Sequence, residues 1–274
     1  MQIREALRWA REELQEACGR PLFEAELLLA HHLGKERLYL HMHDDYEVEE
    51  IEGYKDLVVR RVRHEPYEYI VGSASFYDIE LEVEKGVVLI PRPETEILID
   101  KVARIIDTEQ MTRIAEIGVG SGAISIVLAR KFPWLRIIAT DICDTPLRTA
   151  GKNIKKYGLE ERIEIRKSNL IDEVPEAAEL VVSNPPYIAE DFILESNVAD
   201  YEPKEALFGG RKGDELLKQI IIDVHKRGIR YLVCEMGYDQ KEPIEIFVKG
   251  FEIEYIEFYQ DLAGFDRGFV IKFA

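Results

Sequence analysis

Apolar side chains recur at helical spacing through the first part of the chain. Ile3 and Leu7 stand four residues apart, and similar spacing continues over residues 22–33 and 48–64. Such spacing places apolar side chains on one face of a helix, where they can pack against neighbouring helices. We therefore predict a small helical domain over residues 1–75.

The pattern changes to alternation near residue 76. Polar and apolar side chains alternate over residues 76–83, and a continuous apolar run follows Gly86 at residues 87–90. A period of two is typical of a strand, and a glycine between two such runs is typical of a hairpin. We predict a hairpin over residues 76–90 that links two domains.

Beyond residue 90, short apolar runs alternate with segments of helical length. This order is typical of a doubly wound sheet, in which parallel strands are covered by helices on both faces. The last two runs are joined by only a short loop, so we expect them to pair antiparallel at one edge. The sequence predicts an α/β fold over residues 91–274 with a seven-stranded, mostly parallel sheet. The predicted strands cover residues 114–117, 137–140, 163–166, 180–183, 231–235, 252–259 and 268–273.

Charge and cysteine content narrow the classes of partner. A formal net charge of -17 disfavours nucleic acid as the main partner, because affinity for its backbone comes largely from Lys and Arg. Cys18, Cys143 and Cys234 are too far apart and too few for a disulfide framework or a zinc site. No uncharged stretch reaches the roughly 18 residues of a membrane span. We expect a reduced, cytoplasmic, monomeric protein that binds neither a membrane nor a metal.

A glycine-rich loop follows the first predicted strand of the sheet. Gly118-x-Gly120-x-x-Ala123 opens a helix, and Asp141 ends the next strand, where a carboxylate can bind ribose hydroxyls. The pattern fits a dinucleotide as well as a methionine-derived nucleoside. Glu116, just before the loop, favours the methionine-derived nucleoside, because that ligand carries an ammonium group. The alternative, that the glycines form only a turn, is weaker because strand, helix and acid all stand in register.

Asn184-Pro185-Pro186-Tyr187 ends the fourth predicted strand. The prolines make this segment stiff, and the Asn184 side-chain oxygen and the Pro185 carbonyl can accept the two N–H bonds of a planar amino group. We expect Tyr187 to cover one face of that group. Adenine and a carboxamide both satisfy this geometry, and a plain strand terminator is the structural alternative.

These segments together resemble the release-factor glutamine methyltransferases of the PrmC/HemK type, a family of class I S-adenosylmethionine-dependent methyltransferases. The resemblance covers nearly the whole chain. Besides the glycine loop, Asp141 and Asn184–Tyr187, it rests on Pro66-x-x-Tyr69-Ile70-x-Gly72, Leu89-Ile90-Pro91-Arg92-Pro93-Glu94-Thr95-Glu96, Tyr201-Glu202-Pro203, residues 206–210, residues 235–240 and residues 261–267.

The resemblance implies transfer of a methyl group from S-adenosylmethionine, which leaves S-adenosylhomocysteine, to the glutamine of the Gly-Gly-Gln motif in peptide chain release factors. It also implies that the helical domain docks the release factor. The predicted catalytic residues are Asn184, Pro185 and Tyr187, and the predicted substrate-binding residues are these three with Pro186. The predicted cofactor-binding residues are Glu116, Gly118, Val119, Gly120, Ser121, Gly122, Asp141, Asn169, Leu170 and Asn184.

The chain departs from the family pattern at a few positions. Asn169 and Leu170 stand where an acidic residue and an aromatic are frequent, and we expect them to meet the adenine. Val119 replaces a common threonine, which an outward-facing position would tolerate. Gly268 occupies a place where an apolar residue is more usual. Two other functions stay open, an adenine-N6 methyltransferase of nucleic acid and a non-catalytic protein that binds a nucleotide cofactor.

Overall fold

In the computed structural model, which describes residues 1–174 and 177–274, the chain divides into two units. The first unit contains Met1–Ser73 and Leu194–Tyr201, and the second contains Ala74–Ile193 and Glu202–Ala274. Within the described residues, no helix has both the length and the apolar character that crossing a bilayer requires.

Helices form the first unit, as the spacing predicts. Tyr54 is fully buried at its centre, and its hydroxyl donates to the Ala25 carbonyl at 3.1 Å. Pro21 begins the second helix and Gly34, in the left-handed conformation, ends it. The two short helices at residues 37–42 and 67–71 lack a long apolar repeat, which is why the pattern misses them. The helices are α1 (Ile3–Glu13), α2 (Pro21–Leu33), α3 (Arg37–Met42), α4 (Ile51–Val62) and α5 (Tyr67–Val71).

The predicted hairpin is wrong in its second arm. The structure pairs β1 (Ser73–Phe76) with β2 (Ile79–Glu82), and residues 87–90 form no strand. The turn falls at Tyr77, which adopts a left-handed φ of 55°. The apolar side chains at 87–90 instead line a cavity described below. Within the second unit, Asn153 exchanges two hydrogen bonds with the Glu82 backbone of this hairpin, at 2.8 and 2.9 Å.

A seven-stranded sheet forms the centre of the second unit, and all seven predicted strands are confirmed. Its strands are β3 (Arg113–Ile117), β4 (Arg136–Asp141), β5 (Ile163–Lys167), β6 (Leu180–Ser183), β9 (Tyr231–Glu235), β10 (Ile253–Gln260) and β11 (Asp266–Phe273), and a separate short pair is β7 (Ile188–Ala189) with β8 (Phe208–Gly210). The order across the large sheet is β10-β11-β9-β6-β3-β4-β5. The pairs from β9 to β5 are parallel, whereas β11 pairs antiparallel with both β9 and β10.

Helices cover both faces of the sheet, which confirms the doubly wound architecture. Side chains of α6 (Thr95–Glu109), α7 (Ala123–Lys131) and α8 (Asp144–Lys156) form one apolar core with one face of the sheet. Side chains of α10 (Glu215–Lys226) and α11 (Lys241–Val248) form another core with the opposite face. The central strand β6 is buried along its whole length, as strands covered on both faces must be. The remaining α-helix, α9 (Ser196–Ala199), belongs to the first unit.

Close packing between strands explains Gly268. A Cβ atom at this position would lie 2.2 Å from the Tyr259 hydroxyl and 2.3 Å from the Cys234 carbonyl oxygen. The Tyr259 hydroxyl donates to that same carbonyl at 3.2 Å. The glycine therefore leaves room for a buried tyrosine that joins β10 to β9 across β11.

Candidate active site

A cavity of about 470 Å³ opens at the carboxyl ends of β3, β4 and β6, entirely within the second unit. Ligand sites of doubly wound sheets lie at this edge, and the volume is within the range of small-molecule pockets. Most predicted site residues line it, whereas Gly122 and Tyr187 do not. Those that do are Glu116, Gly118, Val119, Gly120, Ser121, Asp141, Asn169, Leu170, Asn184, Pro185 and Pro186.

The glycine loop wraps the end of β3. Gly118 and Gly120 have φ values of 76° and 53°, a region that L side chains rarely adopt, and a Cβ on either would meet no atom within 4 Å. The amides of Gly118 and Val119 both donate to the Thr140 carbonyl, at 2.8 and 2.9 Å. The loop is therefore fixed by β4 while its glycines leave the backbone bare toward the cavity.

Val119 does not face outward, which corrects the prediction. Its side chain is only 3% exposed and belongs to the apolar core beneath the loop. Gly122 contributes by close packing, because a Cβ there would lie 3.2 Å from Ile126 Cδ1 and 3.6 Å from Ala150 Cβ. Both residues thus support the loop from the side of α7 and α8.

Asp141 is held by backbone amides at the end of β4. Its Oδ2 accepts from Gly120 at 3.3 Å, and its Oδ1 accepts from Cys143 at 3.1 Å. Burial raises the pKa of this carboxyl, while the amides of Cys143, Gly120 and Ile142 oppose the rise. These bonds fix a carboxylate at the cavity wall, where it can accept hydrogen bonds from hydroxyl groups.

Glu116 is a fully buried acid that also borders the cavity. Burial raises the pKa of its carboxyl to about 8, and hydrogen bonds from Ser125 partly oppose this rise. Its Oε2 accepts from the Ser125 amide at 3.0 Å and from the Ser125 hydroxyl. A positively charged group in the cavity would stabilise the ionised form of this carboxyl.

Leu170 adopts an unusual backbone conformation beside the cavity. Its φ is 49°, in the left-handed region, and its carbonyl accepts from the hydroxyls of Thr140 at 3.2 Å and Ser168 at 3.1 Å. Such conformations are disfavoured for non-glycine residues and persist where surrounding contacts hold them. The half-buried Leu170 gives the cavity an apolar wall, and the neighbouring Asn169 is exposed at its rim.

Tight backbone contacts clamp the Asn184–Tyr187 segment. A Cβ on Gly209 would lie 2.4 Å from the Pro186 carbonyl oxygen, and one on Gly213 would lie 2.4 Å from the Tyr187 carbonyl oxygen. The Gln240 side chain donates to that Tyr187 carbonyl at 2.8 Å. With the β7–β8 pairing just beyond it, the segment is fixed from several sides.

The two predicted acceptor atoms are available. Across the described residues, no donor is bonded to Asn184 Oδ1 or to the Pro185 carbonyl oxygen. The other end of the Asn184 amide, Nδ2, donates to the Thr95 hydroxyl at 3.0 Å. The acceptors are thus at the cavity wall, and the donor end of the amide is already bound.

Thr95 and Glu235 are site residues that the sequence did not single out. The Thr95 hydroxyl donates to Glu235 Oε2 at 2.8 Å, and the Tyr187 hydroxyl donates to Glu235 Oε1 at 3.0 Å. Burial raises the pKa of both Glu235 and Tyr187, so the phenol keeps its proton. Both residues lie in motifs that carry the resemblance. In the sequence, the available signal for Glu235 was its position as an acid at the end of the apolar strand β9.

Metal ligands do not gather at this site. In the part of the chain that the structure describes, no three or more His, Cys, Asp or Glu side chains are arranged to hold a metal ion.

Comparisons with known proteins identify relatives along almost the whole chain. A family model described as PrmC N-terminal domain matches residues 5–72, and one described as methyltransferase small domain matches residues 93–200. The release factor glutamine methyltransferase of Dictyoglomus turgidum is 38% identical, covering 98% of this chain and 97% of its own. The protein of the same name from Clostridium botulinum is 37% identical, covering 91% and 90%.

Solved structures support the fold. The N-terminal domain of human METTL16 in complex with SAH aligns with a TM-score of 0.52 at 20% identity, covering 71% of this chain and 75% of that one. At this identity the likeness is one of fold, a Rossmann-like methyltransferase domain.

Proposed function

The chain belongs to the release factor glutamine methyltransferase family, and from that premise we propose that it methylates the side-chain nitrogen, N5, of the glutamine in the Gly-Gly-Gln motif of peptide chain release factors. The observation that carries this proposal is the pair of acceptors at Asn184 and Pro185. They stand side by side at the wall of a cavity whose glycine loop and acids suit a nucleoside.

We propose S-adenosylmethionine as the methyl donor, and the residues at the cavity fit it. The bare loop at Gly118 and Gly120 would lie along the ligand, Asp141 would bind the ribose hydroxyls, and Glu116 would face the ammonium group. Leu170 and Asn169 would meet the adenine. When bound, this cofactor supplies a methyl group on a positively charged sulfur.

The protein's contribution to transfer is orientation of the acceptor nitrogen. The lone pair of a carboxamide nitrogen is delocalised into its carbonyl group, so it is a poor nucleophile in water. Asn184 Oδ1 and the Pro185 carbonyl would each accept one N–H bond, which fixes the nitrogen in place and stabilises positive charge as it develops there. The methylated nitrogen would then lose one of its two protons. Because a protonated amide nitrogen is strongly acidic, water can take that proton and a strong base is not required.

We propose that the helical unit docks the release factor, with residues 1–75 as the docking domain, 76–90 as the linker and 91–274 as the catalytic domain. The match of residues 5–72 to the PrmC N-terminal domain supports this division. Release factors act on the ribosome, so the proposal places the protein in the cytoplasm.

Transfer of labelled methyl groups tests the function. Purified protein is incubated with methyl-labelled S-adenosylmethionine and a release factor, either wild type or with the Gly-Gly-Gln glutamine changed to alanine. We expect label in the wild-type factor and none in the variant. Equal label in both would remove the glutamine assignment, and label that appears only in added DNA or RNA would support the adenine-N6 alternative.

A further inference from the structure

The orientation of the Asn184 amide decides whether the proposed reaction can occur. An asparagine amide has an acceptor end and a donor end, and a half-turn about its last bond exchanges them. Only the orientation with Oδ1 toward the substrate can accept an N–H bond from a carboxamide. The other orientation would bring two N–H groups against two N–H groups.

The Thr95 hydroxyl removes this ambiguity. In the ionised form of Glu235, both carboxyl oxygens can only accept, so the single hydrogen of the Thr95 hydroxyl is directed to Oε2, at 2.8 Å. Its oxygen can then only accept from Asn184, which it does from Nδ2 at 3.0 Å. With Nδ2 held at Thr95, Oδ1 is the end that remains for the substrate.

Glu235 in turn determines which group donates in each of these hydrogen bonds. Both of its carboxyl oxygens accept hydrogen bonds, one from Thr95 and one from Tyr187. Thr95 and Glu235 are 4% and 2% exposed, so water does not compete for these bonds. The side chains of Asn184, Thr95 and Glu235 come from the end of β6, the start of α6 and the end of β9, respectively.

A hydroxyl at the start of a helix can have a purely structural role as a cap. The Thr95 hydroxyl does not cap α6. Glu94 is the N-cap residue of that helix, and no side-chain cap bond is made there. The hydroxyl is bonded to Glu235 and Asn184 instead, and Thr95 itself borders the cavity.

We propose that Thr95 and Glu235 are positioning residues that hold the Asn184 amide with its oxygen toward the substrate glutamine. The proposal rests on the proposed function, because it concerns the same acceptor atom. It adds two residues whose effect on the reaction passes through Asn184.

Substitutions at Thr95 test the proposal by steady-state kinetics with the release factor. Thr95→Val keeps the shape of the side chain and removes both hydrogen bonds, so we expect kcat to fall roughly 10-fold with an unchanged affinity for S-adenosylhomocysteine. Thr95→Ser keeps the hydroxyl and should restore most of the turnover. Thr149→Val is the matched control, since Thr149 is equally buried but, among the described residues, its hydroxyl hydrogen-bonds only to the Thr145 carbonyl, at 3.5 Å.

A double-mutant cycle distinguishes positioning from general destabilisation. In an Asn184→Ala background, Thr95→Val should cause little further loss of kcat, because the amide it orients is gone. An equal loss in both backgrounds, or wild-type turnover in Thr95→Val, would overturn the positioning role while the function stands. A wild-type enzyme that fails to methylate glutamine would overturn the proposed function and this inference together.

Discussion

At the scale of single residues, Asn184 is the side chain on which the proposed chemistry depends most. Asn184→Ala removes an oriented acceptor but leaves the glycine loop and both acids in place. We expect turnover to fall on the order of 10²-fold or more, with cofactor affinity almost unchanged. Kinetics with the release factor and calorimetry with S-adenosylhomocysteine measure the two effects. Unchanged turnover would exclude Asn184 from the chemistry.

We expect Glu116 to make binding of the proposed cofactor depend on pH. Its pKa of about 8 means that the carboxyl is mostly protonated at neutral pH in the free protein. A bound ammonium group favours the ionised form, so raising the pH from about 6 to about 7.5 should strengthen binding of S-adenosylhomocysteine, by up to tenfold per pH unit.

The matched variant is Glu116→Gln, which cannot ionise. Its affinity should be lower and nearly constant over the same pH range. If the variant showed the same slope as the wild type, the pH dependence would have to come from another group.

The sequence predicted the residues whose role is local. The positions of Gly118, Gly120 and Asp141 at the cavity follow from backbone conformation and strand ends, which a short pattern contains. Thr95 and Glu235 act through tertiary contacts, with Thr95 separated from Asn184 by 89 positions and from Glu235 by 140. Nothing in the local pattern specifies which side chains meet over such distances.

At the scale of elements, the inner strands of the large sheet were predictable because β6 and β9 are buried and mostly apolar along their length. The second arm of the hairpin was not, because Val88 and Ile90 are buried for a different reason. They border the cavity, and no strand forms there. An apolar run predicts burial, and its neighbours in the fold decide whether it pairs.

The clamp between β8 and the Asn184–Tyr187 segment gives a prediction at this scale. In Gly209→Ala, the new Cβ would lie 2.4 Å from the Pro186 carbonyl and 2.5 Å from the Gly213 carbonyl, so the segment must shift. We expect a loss of about 1–3 kcal/mol in the free energy of unfolding and a fall in kcat larger than any change in cofactor affinity.

Gly250→Ala is the control for this substitution. Among the described residues, a Cβ at Gly250 would have one atom within 4 Å, the Phe247 carbonyl oxygen, at an ordinary 3.7 Å. Chemical denaturation and steady-state kinetics on both variants provide the comparison. Equal behaviour of the two would show that the close approach at Gly209 is not needed to hold the segment.

At the scale of the whole molecule, thermal stability distinguishes a methionine-derived nucleoside from a dinucleotide as the bound cofactor. A ligand that binds only the folded protein raises the free energy of unfolding, by about 2.7 kcal/mol at 100 times its dissociation constant. We expect S-adenosylhomocysteine to raise the melting temperature and NAD to leave it unchanged. Stabilisation by NAD alone would favour the non-catalytic, dinucleotide-binding alternative.

The net charge of -17 separates the two enzymatic alternatives at the same scale. A protein with this charge repels a nucleic-acid backbone unless a local basic patch intervenes, whereas it can bind a protein substrate through other contacts. The charge of the whole chain therefore favours the proposed protein acceptor over a nucleic acid.

The most direct test of the account is to locate the transferred methyl group in the product. The release factor is incubated with the protein and S-adenosylmethionine, digested, and analysed by tandem mass spectrometry. We predict a single added methyl group on the side-chain nitrogen of the Gly-Gly-Gln glutamine. A methyl group on any other residue, or an unmodified Gly-Gly-Gln peptide after exhaustive reaction, would contradict the central claim.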